Sequence, residues 1–164
     1  MTVNKTMPNL EAGTVDLERY LPQMLNSVSA QMNERLAQEL RTIDLPLAYW
    51  RILAILRWRG DCTLKDIHSW TVIDTSTASR AVKRLEDEGA LLRCWDKSDT
   101  RNRRISITEE GEAMFNRGWT IVSGFHDYLM QDLDARELEL ITLALEKLQY
   151  RLRRSIWDKR KSMR

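Results

Sequence analysis

Residues Asp74 to Thr108 read DTSTASRAVKRLEDEGALLRCWDKSDTRNRRISIT. Asp74 is a strong N-cap residue, and Ala78, Ala81, Val82 and Leu85 follow at the i, i+3, i+4, i+7 spacing of one narrow apolar helix face. At 100° per residue the opposite face carries Ser76, Arg80, Lys83 and Asp87, flanked by Thr77, Ser79 and Arg84. Gly89 stops the helix at a position that favours glycine. Leu91 to Trp95 is short and strand-like. Asp96 to Asn102 is polar and rich in turn formers. Arg104 to Thr108 alternates polar and apolar, as a half-buried strand does. The stretch is therefore a helix followed by a hairpin with a long cationic tip carrying Lys97, Arg101 and Arg103.

Hydroxyls, guanidinium groups and a helix N-terminus suit phosphates and base edges. An arginine-bearing hairpin beside such a helix suits the neighbouring minor groove, whose negative potential attracts arginine. Asp99, two residues before Arg101, is placed to pair with that guanidinium and fix its rotamer. The stretch is read as the recognition helix and wing of a winged helix-turn-helix, with duplex-contacting residues Ser76, Thr77, Ser79, Arg80, Lys83, Arg84, Lys97, Asp99, Arg101 and Arg103.

Upstream, Thr63 and Asp66 form a T-x-x-D start for a short helix over about 64–70, and so tight a link to the next helix is the helix-turn-helix arrangement. Asp61-Cys62-Thr63 is a candidate third strand. A helix over about 46–59 is expected, capped by Asp44 or Leu45 and ended by Gly60. It is apolar nearly all round and should be central. The first helix is expected over Asp16 to Arg41, with Leu21, Leu25, Val28, Met32, Leu36 and Leu40 on one stripe and Pro22 in its first turn or at a bend. Residues 1–15 read as a flexible arm.

Downstream, Thr108 caps a helix to about Met130 whose first turn holds Glu109, Glu110 and Glu112, favourably placed for the helix dipole. Asp134 and Glu137 start the last helix. There Leu138, Ile141, Leu145, Leu148 and Leu152 form one apolar face, and Leu140 and Leu143 a second. Two faces on a terminal helix call for a partner helix from another chain. The domain reading is a dimerisation part from 16–43 and 109–157, a winged helix-turn-helix at 44–108 and a solvated basic tail at 158–164. Dimerisation is assigned to Leu21, Leu25, Leu138, Ile141, Leu145, Leu148 and Leu152. The fold class is mainly α with a small β-wing.

The 164 residues are 43% hydrophobic and 30% charged, with six Gly, three Pro and a net charge of +2, a globular helical balance in which local charge must carry any nucleic-acid argument. Cys62 and Cys94 do not form a CxxC. Both are expected to be buried, reduced thiols. No metal site, cofactor or catalytic constellation is read, so an enzyme is not expected. The N-terminus lacks an apolar signal segment, no apolar run approaches the ~18 residues of a membrane span, and a cytoplasmic location is expected.

The same stretch resembles the MarR family of winged-helix transcriptional regulators. Ser76, Thr77, Ser79, Arg80, Val82, Leu85, Glu86 and Gly89 match its recognition-helix pattern, and Asp99, Arg101, Ile105, Ile107, Thr108 and Gly111 its wing pattern. The helix order extends the resemblance over roughly residues 16–157. The chain departs from it at Thr71-Val72-Ile73, where relatives often carry glycine, and at the bulky Trp95. The resemblance implies groove contacts from Ser76, Thr77, Ser79 and Arg80, and minor-groove insertion of Arg101 positioned by Asp99. It also implies a homodimer on a near-palindromic operator, and a cleft for a small aromatic or phenolic acid. Arg19, Tyr20, Trp50, Arg51, Trp58 and His68 are the candidates for that cleft. Peroxide-sensing relatives place a reactive cysteine near the start of the first helix, and this chain has none there. The expectation is a dimeric, ligand-released transcriptional regulator, usually a repressor; the alternative is a winged-helix module for protein–protein assembly.

Overall fold

The computed structural model describes residues 16, 19–71, 73–95 and 103–161. The expected wing tip, with Lys97, Asp99 and Arg101, lies outside the described residues, as do the N-terminal arm and the last three residues of the tail. The elements run α1 (Leu21–Arg41), α2 (Leu47–Arg59), α3 (Leu64–Thr71), α4 (Thr75–Asp87), β1 (Leu91–Trp95), β2 (Arg103–Ile107), α5 (Glu109–Met130) and α6 (Ala135–Lys161). The fold is a mainly helical winged helix with one two-stranded antiparallel sheet.

The start of α1 differs from the expectation. The helix begins at Leu21 rather than Asp16, with extended Tyr20 as N-cap and Pro22 in the first turn. Proline has no N–H to give to an earlier carbonyl, and it disfavours helical backbone in the residue before it. The apolar stripe therefore cannot be continued upstream as helix. The cap of α2 is also corrected: Pro46 holds it, at φ −59° and ψ 139°. Asp44 instead takes a left-handed turn conformation, φ 55°.

α2 is the centre of the first compact unit. Ile52, Leu53 and Leu56 are fully buried, and each contributes about 1.5–3 kcal/mol over its exposed state. Leu40 of α1, Ile67 of α3, Ala81, Val82 and Leu85 of α4, Leu91 of β1, Ile105 of β2 and Phe115 of α5 join the same core. The α4 stripe thus faces inward as its spacing requires. Three helix starts are set locally. Asp66 and Thr63 bond reciprocally, with the Thr63 N–H donating to the carboxylate at 2.9 Å and the Asp66 N–H to the Thr63 hydroxyl at 3.2 Å. Asp134 and Glu137 do the same for α6, at 2.9 and 2.8 Å. Thr108 Oγ1 accepts from the Gly111 N–H at 3.1 Å.

In the hairpin Leu91 faces Ile107 and Trp95 faces Arg103. The expected third strand is a single bridge between Cys62 and Ile105. The expectation of two buried thiols is half corrected: Cys62 is buried and Cys94 is exposed. Among the described residues β1 pairs with β2 alone, and Cys94 lies on the exposed face of this two-stranded ribbon.

Two glycines allow close approach to α5. A methyl group at Gly111 would strike the Ala90 carbonyl oxygen, and one at Gly118 would strike Trp50 Cδ1 and come within 2.8 Å of Leu45 Cδ2. The first compact unit closes at Val122, inside α5, and the second runs from Ser123. In the second unit α6 leaves Leu140, Ile141, Leu143, Leu145, Leu148 and Leu152 exposed. Among the described residues, no helix is long and apolar enough to cross a membrane.

Candidate nucleic-acid interface and adjoining cleft

The outward face of α4 is built from its cap. Asp74 Oδ1 accepts from the Thr77 N–H at 2.9 Å and from the Ser76 hydroxyl at 2.6 Å. These hydrogen bonds, the Ser76 hydroxyl foremost, hold the Asp74 carboxyl well below the usual carboxylate range. Ser76, Arg80, Lys83 and Arg84 are exposed, while Thr77 and Ser79 are half-buried. Arg80 Nη2 reaches back to the Thr77 hydroxyl at 3.4 Å, a weak contact.

Farther along, Lys83 pairs with Asp87 at 3.3 Å and Arg84 with Glu88 at 2.9 Å. Exposed pairs of this spacing are worth only about 0.3–0.5 kcal/mol, so both cations can exchange their acids for a phosphate. Glu86 is used differently. Its Oε1 lies 2.6 Å from Arg93 Nε, Glu86 being half-buried and Arg93 exposed. This pair ties β1 to α4. On the other strand the Arg104 guanidinium donates to the Asp61 carbonyl, beside the Cys62–Ile105 bridge. The hairpin is thereby anchored at both strands, with exposed Arg103 where β2 begins.

A cleft of about 390 Å³ is lined by residues of α1, α2 and α3. Of the sequence candidates it gathers Trp50, Arg51 and Trp58 and does not include Arg19, Tyr20 or His68. Tyr20 caps α1, the Arg19 N–H donates to the Asp16 carbonyl, and His68 Nδ1 lies 2.7 Å from the Ile73 carbonyl. The Arg51 guanidinium donates to Asn33 Oδ1 at 2.6 Å, and burial lowers its pKa from the ordinary arginine value.

Asn33, Trp70 and Thr71 also line the cleft, and sequence reasoning missed all three. Trp70 follows Leu64 and Ile67 at three-residue steps, which puts it near the apolar face of α3. Nothing local marks Asn33. The Arg59 guanidinium stacks 3.9 Å above the Trp70 ring. Trp50, Phe115 and Trp119 stack in succession at 6.1 and 6.0 Å, and Trp58 meets all three edge-on. Among the described residues no acid lines the cleft, and Arg51 is the charged side chain in its wall.

A three-helix core with a capped reading helix and an anchored hairpin defines a winged helix-turn-helix. Residues 45–103 of the chain match the MarR family profile, a family of transcriptional regulators. It is similar to the homoprotocatechuate degradative operon repressor of Escherichia coli, 28% identical over 97 residues, which are 59% of this chain and 66% of the repressor. It is similar in structure to a MarR family transcriptional regulator from Silicibacter pomeroyi, with a TM-score of 0.75, 28% identity, and 84% of this chain and 93% of that one covered. The fold is also that of an Escherichia coli MarR variant complexed with operator DNA, with a TM-score of 0.69 at 22% identity, covering 78% of this chain and 92% of that one. These relatives are transcriptional regulators, not enzymes.

Proposed function

We propose that this protein is a dimeric, sequence-specific DNA-binding repressor released by a small aromatic acid. The observation that carries the DNA reading is the outward face of α4: Ser76, Arg80, Lys83 and Arg84 are exposed on a helix whose apolar stripe is wholly buried. Thr77 and Ser79 flank them. The reading places α4 in the major groove, and Lys97, Arg101 (with Asp99 as its positioning partner) and Arg103 at the minor groove and backbone. The Escherichia coli MarR variant that shares this fold is complexed with operator DNA. A two-fold dimer sets the half-sites about one DNA turn apart, on the order of 10 bp between centres.

Pairing is assigned to Leu21 and Leu25 of α1 and to Leu138, Ile141, Leu145, Leu148 and Leu152 of α6. Apart from half-buried Leu138, all are exposed in the single chain. The effector reading rests on the cleft: a half-buried guanidinium among Trp50, Trp58 and Trp70 fits a planar ring bearing one carboxylate. Its occupancy would shift the population toward a lobe spacing that misfits the operator.

Gel-shift titration on the DNA upstream of the protein's own gene, run across a salt series, tests the DNA reading. Affinity should fall steeply with salt, as phosphate neutralisation demands. Arg101→Ala should weaken binding about tenfold and leave the dimer intact. Absence of any shift at low salt would favour the assembly module instead.

A further inference from the structure

The leading edge of α4 carries one exposed acid, Asp74. Ser76 has a single hydroxyl proton, and it is committed to Asp74 Oδ1 at 2.6 Å; the Thr77 N–H is committed to the same oxygen at 2.9 Å. Both Asp74 and Ser76 are exposed. An ionised carboxylate accepts at about four lone-pair sites and donates nothing. With these two hydrogen bonds formed, the Asp74 carboxylate still has lone pairs free to accept and nothing to donate. Its hydrogen bonds also keep the carboxylate ionised to lower pH than an ordinary aspartate.

The charge balance of the helix points the same way. From Asp74 to Asp87 three acids match three cations. Lys83 is paired to Asp87, Arg84 lies against Glu88, and Glu86 is tied to Arg93. Over this span α4 has no net positive charge to draw phosphates non-specifically, although Lys83 and Arg84 can each exchange an acid for a phosphate. A phosphate brought against the Asp74 carboxylate itself would be repelled by its charge. In the major groove, the base-edge groups that donate rather than accept are the exocyclic amines, N4 of cytosine and N6 of adenine.

We propose that Asp74, held in place by Ser76, is a specificity-determining residue that accepts a hydrogen bond from one exocyclic amino group, cytosine N4 or adenine N6, in each operator half-site. This rests on the DNA-binding reading above and goes beyond it. That reading needs only cations and hydroxyls at the groove, whereas here an acid selects the base.

The test is selection from random duplex DNA with the full-length protein, followed by affinity measurements on the selected site. Wild type should enrich a half-site with one position restricted to cytosine or adenine by about tenfold or more. Asp74→Asn keeps a good helix cap but removes the charge and adds a donor. It should reduce the preference at that position to under threefold and leave the others unchanged. Ser76→Ala leaves the Thr77 N–H bond in place and should reduce the same preference partway.

Replacing the selected cytosine by uracil, or the selected adenine by hypoxanthine, exchanges the amine for an oxo group and tells the two sources apart. Either should weaken wild type about tenfold and Asp74→Asn little. An unchanged preference in Asp74→Asn, or a uniform affinity gain at every sequence, would make Asp74 a cap alone and overturn the proposal. If wild type enriches no sequence at all, the DNA reading fails as well, an outcome distinct from the first.

Discussion

Cys62 and Cys94 have opposite surroundings within one lobe. Burial, and after it the nearby Asp66 charge, pushes the Cys62 thiol up to about 11; Cys94 lies exposed on β1. Only the thiolate reacts with disulfide reagents. A chromogenic disulfide at pH 8 should therefore titrate one thiol quickly and the second only after denaturation. Cys94→Ser should abolish the fast phase; a fast phase surviving in that variant would mean that the Cys62–Ile105 bridge opens readily. The pH signs follow from the same shifts. The unfolded chain loses the Cys62 proton first, so this group's contribution is full below the ordinary thiol pKa and is lost as pH rises toward about 11. Asp74 runs the other way. Its contribution is present above the usual carboxylate pKa of about 3.9 and is lost as pH falls through its lower native value.

At the scale of elements, α5 is where a single methyl group decides the packing. Gly118→Ala would drive a Cβ into the Trp50 indole and against Leu45. Overpacking of this kind costs about 1–3 kcal/mol. Gly124 in the same helix has nothing within reach of a new Cβ, so Gly124→Ala should instead stabilise by about 0.5–1 kcal/mol. Thermal melts of the two variants should move in opposite directions, and parallel shifts would show that the Trp50–Gly118 contact is not tight. What could be read in advance was local. Asp74, the Thr63–Asp66 and Asp134–Glu137 pairs, and the spacing of Ala78, Ala81, Val82 and Leu85 act within one or two turns, and the helices start or face as they dictate. The start of α1 was misread because the apolar stripe was weighed above Pro22. Exposed Cys94 was misread because its residue type outweighed its place on a two-stranded ribbon. Asn33 and Trp70 reach the cleft only through the packing of α1, α2 and α3, and no spacing along the chain reports that.

For the whole molecule, the second compact unit is dominated by a 27-residue helix with an apolar face exposed along much of its length. So large an unpartnered surface is uncommon on a monomer. Leu145→Glu places a charge in that face. Sedimentation should show a shift from dimer to monomer with helicity retained, together with loss of operator affinity. A persisting dimer would move the interface to another face.

The ring contacts among Trp50, Trp58 and Trp119 have a spectroscopic consequence. Indoles about 6 Å apart couple their electronic transitions, and Trp50 and Trp58 also line the cleft. The lobe thus carries its own optical gauge. Near-ultraviolet circular dichroism and intrinsic emission report on the cleft without any label, so a molecule entering between the rings would announce itself before any effect on DNA is measured.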